Sequence, residues 1–171
     1  MARTSIVTAI AIAVGVAALP SGATERGWQP YHNARFGYSV DVPTAYLFAQ
    51  PAPDNGDGLS FASGDARVFL TVWGANNALG WSLDGFYEAA LARNDLGVIT
   101  YQRKADTWYV LSGYRTIDGS AGPYEAIFYE RLRMAASGGA ISGISLVFAP
   151  SLKDEMDPIV TRISRSLTPP R

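Results

Sequence analysis

The sequence predicts an α+β fold with helices packed on an antiparallel sheet. Three observations lead there. Residues 67–74, Arg-Val-Phe-Leu-Thr-Val-Trp-Gly, form a long apolar run rich in β-branched and aromatic residues. The second half of the chain holds four more strand-like runs joined by short turns, which favours antiparallel neighbours. Two segments, residues 83–93 and the C-terminal residues 151–168, carry apolar side chains at helical spacing instead.

Taken in order, residues 24–30 form a short lead-in containing Trp28, and residues 31–37 an extended piece running into a turn. Residues 38–42 alternate, with Tyr38, Val40 and Val42 on one face, and Pro43 ends the strand because it has no N–H for a ladder. Leu47-Phe48-Ala49 is a short apolar patch before the stop at residues 51–53. Residues 53–58 then make a polar loop, 59–62 a short strand and 63–66 a tight turn. In the long run that follows, Val68, Leu70 and Val72 face one way and Phe69, Thr71 and Trp73 the other. Apolar groups on both faces put this strand near the middle of a sheet covered, at least partly, on both sides.

After a loop at residues 74–78 and Trp81, Ser82 is placed to cap a helix that starts at Leu83 with Asp84 in its first turn. Leu83, Phe86, Tyr87, Ala90 and Leu91 make its apolar stripe, and Asn94 ends it. Strands follow at residues 98–103, 108–114, 124–134 and 141–148. Asp118-Gly119 and Gly122-Pro123 mark a longer connection between the second and third. Within 124–134, Glu125, Arg131 and Arg133 share a face, while Glu130 interrupts the apolar face of Ala126, Phe128, Leu132 and Met134. A carboxylate there needs a partner, and an arginine is the natural one. Ser151 caps a short turn through Met156. Asp157-Pro158 then reads as a fresh helix start, with Ile159, Val160, Ile163 and Leu167 buried and Pro169-Pro170 as the stop.

The 171 residues fit one domain, at 48% hydrophobic and 17% charged residues. The net charge of −1, with only Lys104 and Lys153 as lysines, offers no basic surface for nucleic acid. With no cysteine, disulfides, thiolate metal sites and a cysteine nucleophile are excluded. Residues 1–23 read as a secretory signal peptide. Arg3 supplies the positive charge, residues 6–19 the uncharged core, Pro20 the break and Ser21-Gly22-Ala23 the small residues before cleavage between Ala23 and Thr24. The expected mature domain, 24–171, is therefore periplasmic or secreted. No later segment is apolar and long enough to span a bilayer.

The catalytic inventory is thin. His32 is the single histidine, no Gly-x-Ser-x-Gly elbow supplies a nucleophile, and a histidine-rich metal site is impossible. Asp54-Asn55-Gly56-Asp57-Gly58 resembles a calcium loop in composition only. With Gly58 at the sixth position, the first and twelfth would be Pro53 and Gly64, neither of them a carboxylate. Turn chemistry accounts for the loop, with Asp and Asn bonding their own backbone. Glu125 and Glu130 lie five apart, on opposite faces of a regular strand, which argues against them as a hydrolytic carboxylate pair. Trp73 and Trp81 flank an Asn-rich loop, and aromatic faces beside polar groups suit a sugar or peptide as well as rim packing.

Residues 35–43, Arg-Phe-Gly-Tyr-Ser-Val-Asp-Val-Pro, resemble the opening hairpin of the PsbP/Mog1-like proteins, including secreted bacterial members. Asn55-Gly56-Asp57-Gly58, Leu70-Thr71-Val72-Trp73-Gly74 and the ending Asp157-Pro158-Ile159-Val160 with Ile163-Ser164-Arg165-Ser166-Leu167 are similar to elements of the same group, with Leu167 where relatives carry an aromatic. The resemblance spans most of residues 31–167. It implies an α-β-α sandwich around an antiparallel sheet, and mostly non-catalytic accessory or binding roles with no catalytic residues or cofactor to carry over.

The expectation is therefore a non-enzymatic binding or accessory domain with a protein or small-molecule partner and no metal or cofactor. Its candidate surface is the loop end bearing Asp54, Asn55, Asp57, Trp73, Asn76 and Trp81. Two alternatives stay open: a carboxylate-dependent hydrolase of cell-envelope sugar or peptide, and a cation-binding module using Asp54 and Asp57.

Overall fold

A computed structural model describes residues 27–119 and 122–171. The predicted leader, with its cleavage point between Ala23 and Thr24, lies outside the described residues.

The strands are β1 (Gln29–His32), β2 (Ser39–Val42), β3 (Leu47–Ala49), β4 (Gly58–Ser63), β5 (Val68–Asn76), β6 (Val98–Ala105), β7 (Trp108–Gly119), β8 (Gly122–Met134) and β9 (Ala140–Phe148). Helix α1 (Leu83–Leu91) lies between β5 and β6. A short 3₁₀ turn (Pro150–Leu152) leads into α2 (Lys153–Ser166). Among the described residues, seven strands form one antiparallel sheet in the order β3-β4-β5-β9-β8-β7-β6, while β1 and β2 pair only with each other. The fold class is α+β, as the alternating strands and two helical stripes predict.

The helices take opposite faces. Val68, Leu70 and Val72 join Ile144, Leu146, Met156, Ile163 and Leu167 in one core under α2. Leu111, Phe128, Leu132 and Ile141 join Leu83, Ala90 and Leu96 in a second core under α1. Each such aliphatic side chain, once buried, contributes roughly 1.5–3 kcal/mol, so the sheet is held from both sides. Coverage is incomplete, and Phe69 on the α1 face of β5 stays 42% exposed.

The strand of Tyr38, Val40 and Val42 buries those three residues as the alternation predicts, but outside the main sheet. β2 packs against α2, and polar groups hold it there. The Asp41 amide donates to Ser166 Oγ (2.8 Å) and the Ser39 amide to Thr168 Oγ1 (2.7 Å).

Two boundary expectations are corrected. The residues around Asp118 and Pro123 are not a long connection, because β7 and β8 stay paired out to Gly119 opposite Gly122. Beyond Tyr114 and before Ile127 these two strands pair with no other strand among the described residues, and this two-stranded ribbon tolerates glycine and proline near its end. Asp157-Pro158 is not a helix start either. Helix α2 begins at Lys153 and Pro158 lies inside it. Leu152 and Met156 are buried, and anchoring them in the core sets the start earlier than the local capping signal does.

Candidate functional site

The six candidate residues gather at one end of the sheet. Gly58, which closes the Asp54–Gly58 loop, lies opposite Trp73, and Asn76 lies opposite Ala140 at the end of β5. From there they point to three separate surroundings.

The loop is a self-bonded turn. Asn55 Nδ2 donates to Asp57 Oδ2 (2.7 Å), and the Asp57 amide donates back to Asn55 Oδ1 (3.3 Å). The β1–β2 turn braces it from outside. Asn33 Nδ2 donates to the Gly56 carbonyl (3.1 Å), Tyr38 Oη to the Asp57 carbonyl (3.1 Å) and Arg35 to the Asn55 carbonyl. Asp54 and Asn55 are exposed and Asp57 half-buried. Among the described residues, no group of three histidine, cysteine or acidic side chains is placed to share a metal ion.

Trp73 turns to the α1 face and lines a cleft of about 410 Å³ with Thr71, Arg93, Tyr109, Glu130 and Ser145. Sheet register explains the polar floor, since Thr71, Ser145 and Glu130 stand side by side on β5, β9 and β8. Glu130 receives the arginine partner its position demands. Arg93, just past α1, donates from Nη1 to Glu130 Oε2 (2.9 Å). Its Nη2 and Nε grip Asp95 at 2.8 and 2.9 Å. Burial, then the charge of Glu130, pushes the Tyr109 phenol up to about 12, so it stays neutral across the physiological range.

Asn76 and Trp81 line a third, smaller hollow of about 250 Å³ with Leu79 and Phe86. Asn77, which the sequence reading passed over, organises it. Its Nδ2 donates to the carbonyls of Trp81 and Gly138, both at 2.8 Å, and its Oδ1 accepts from the Trp81 amide (2.9 Å). An Asn followed four residues later by an exposed Trp is the only local signal of this role. His32 is exposed on β1.

Chemically, the cleft is suited to holding a ligand by hydrogen bonds beside an indole wall. It offers one carboxylate, Glu130, already engaged by Arg93. Among the described residues, two carboxyl groups have clearly shifted ionisation, and both move downward. Asp65 falls to about 2 through its bonds from Ser63 and Arg67, and Asp95 falls through Arg93. A general acid working near neutral pH needs the opposite shift.

No protein-family model and no curated protein sequence matches the chain. Solved structures do. The cyanobacterial PsbP (CyanoP) of Synechocystis sp. PCC 6803 superposes with a TM-score of 0.60 at 12% identity, over 89% of this chain and 98% of that one. The Ran-binding protein Mog1p of Saccharomyces cerevisiae superposes with a TM-score of 0.56 at 9% identity, over 82% of this chain and 94% of that one. The chain has the PsbP/Mog1-like fold, as the resemblance of residues 35–43 implies.

Proposed function

We propose that this protein is an exported, periplasmic or secreted, non-catalytic binding or accessory domain. The observation that carries the reading is the fold, shared with CyanoP and with Mog1p, whose name records the binding of a protein, Ran. A protein partner is the corresponding expectation here. The leader-like residues 1–23, with cleavage after Ala23, support export. The engagement of Glu130 by Arg93 supports binding over hydrolysis.

Asp54, Asn55, Asp57, Trp73, Asn76 and Trp81 serve as the contact surface in this reading. Their distribution over a braced loop, a cleft and a hollow at one end of the sheet suits a partner of protein size better than a single small molecule.

A native mass spectrum of the protein, purified gently from its own host, tests the proposal. A co-purifying protein mass, lost on the double substitution Trp73→Ala and Trp81→Ala, is the expected result. Hydrolytic turnover abolished by Glu130→Gln alone would overturn it.

A further inference from the structure

The α2 face of the sheet carries an arginine cluster that the proposed contact surface does not use. Arg131 and Arg133 stand two residues apart on β8, on the same face. Trp108 is the cross-strand partner of Arg133, and Val110 lies between Arg131 and Arg103 of β6. Both Arg131 and Arg103 approach one indole. Their guanidinium carbons lie 4.6 and 5.7 Å from the Trp108 ring centroid.

Part of this arrangement is structural. Arg131 Nη1 donates to the Ser164 carbonyl (2.7 Å) and Arg133 Nη1 to the Leu167 carbonyl (2.8 Å), so both close the C-terminal end of α2. The helix end supplies about half a negative charge, far short of three guanidinium groups. Arg67, Arg93 and Arg162 each meet a carboxylate. Among the described residues, none pairs with Arg103, Arg131 or Arg133, not even Asp106 in the adjoining β6–β7 turn. The Nε atoms of Arg131 and Arg133 are buried without a hydrogen-bond partner. Burial, then the charge of Arg133, lowers the pKa of Arg131, and burial lowers that of Arg133. Two like charges thus crowd one indole, a third stands two residues along β8 on the same face, and donors are left over. Uncompensated charge of this kind is costly until an opposite charge arrives.

We propose that Arg131 and Arg133, with Trp108 as wall and Arg103 at the rim, form a binding site for an oxyanion, a phosphate or carboxylate group. Guanidinium forks match the two-oxygen edge of such groups and bind them with charge-assisted hydrogen bonds. The anion reaches the site either as a free small ion or on an acidic peptide.

The test is a titration of the full chain at constant ionic strength, held with chloride so that screening is unchanged. Inorganic phosphate and acetate probe the free-ion source, and an oligoglutamate peptide probes the other. The readout is the tryptophan fluorescence that disappears in Trp108→Phe, together with the melting temperature. Saturable quenching and a rise in melting temperature are expected with at least one probe, because a ligand specific to the native state stabilises it. Tighter binding of phosphate marks a small-ion site, and tighter binding of the peptide a docking site for an acidic partner.

Arg133→Gln is expected to weaken binding at least about tenfold, with circular dichroism checking that α2 is intact. If that variant fails to fold, exposed Arg103→Gln, which caps nothing, carries the test with a several-fold loss. No saturable response to any of the three probes, or equal affinity in Arg103→Gln and the parent, overturns the proposal. These outcomes leave the Trp73 and Trp81 surface untouched, so the two readings fail separately.

Discussion

The indole of Trp73 fills the space directly above Gly143, its partner across the β5–β9 ladder. A Cβ at Gly143 would stand 2.4 Å from Cζ2 of the indole and 2.5 Å from Cε2. The absence of a side chain on β9 is what lets Trp73 lie down and wall the cleft above the sheet. Gly143→Ala is therefore expected to push the indole outward and to destabilise the protein by about 1–3 kcal/mol, the usual scale of overpacking. Thermal melts and the tryptophan emission maximum measure both effects. An unchanged emission spectrum would show that Trp73 is not held by this contact.

The Arg93–Glu130 pair makes the second prediction. The Glu130 side chain is only 14% exposed and takes its ionic partner from Arg93. Arg93→Ala leaves that carboxylate partly buried and unpaired, at an expected loss of about 1–3 kcal/mol. Glu130→Gln in the same background is expected to recover part of the loss, since the neutral amide has less charge to desolvate. Chemical denaturation of the two single variants and the double variant measures the coupling.

Alkaline pH makes the third. Burial raises the phenol pKa of Tyr38, Tyr109 and Tyr129, that of Tyr109 from 10.0 to about 12. A raised folded-state value favours the protonated form in the native protein. The resulting stability is complete below pH 10 and falls as pH climbs toward 12. For Tyr109 the loss is about 2 kcal/mol. Melting temperature against pH between 9 and 12 checks this, and Tyr109→Phe is expected to flatten part of the decline.

The fourth concerns Pro158. Inside α2 it has no N–H to donate to the carbonyl of Asp154, one turn earlier, although both residues face solvent. Pro158→Ala restores that donor and is expected to stabilise the protein by about 1 kcal/mol or more, partly offset by greater freedom in the unfolded chain. A lower melting temperature would mean that the ring matters for packing against Asp41 or Arg162, which border the same groove.

Much of the fold was legible. Period-two alternation identified the buried faces of β2 and β5, because strand geometry forces successive side chains to opposite sides wherever the strand goes. Ser82 does cap α1, accepting from the Gly85 amide at 3.1 Å, since capping is decided by residues three apart. The need of Glu130 for an arginine was equally clear from its place on an apolar face.

Less of the site was legible. Asp54, Trp73 and Trp81 fall within one stretch of 28 residues and share one end of the sheet, yet their surroundings differ. Side-chain direction depends on strand register and on which helix covers which face. Neither Asn77 nor Arg93 stands out, because besides their local bonds to Trp81 and Asp95 each also bonds a residue far along the chain, Gly138 and Glu130 respectively.

The sequence alone determined the element types, the buried faces and the fold class, because propensity, capping and alternation act over a few residues. Tertiary structure decided the rest. It detached β1 and β2 from the main sheet, carried α2 through Pro158, chose Arg93 for Glu130 and brought Arg103 and Arg131 onto Trp108. Those outcomes depend on contacts between residues distant in the chain, whose packing energies outweigh local preference and leave no mark in any short stretch of sequence.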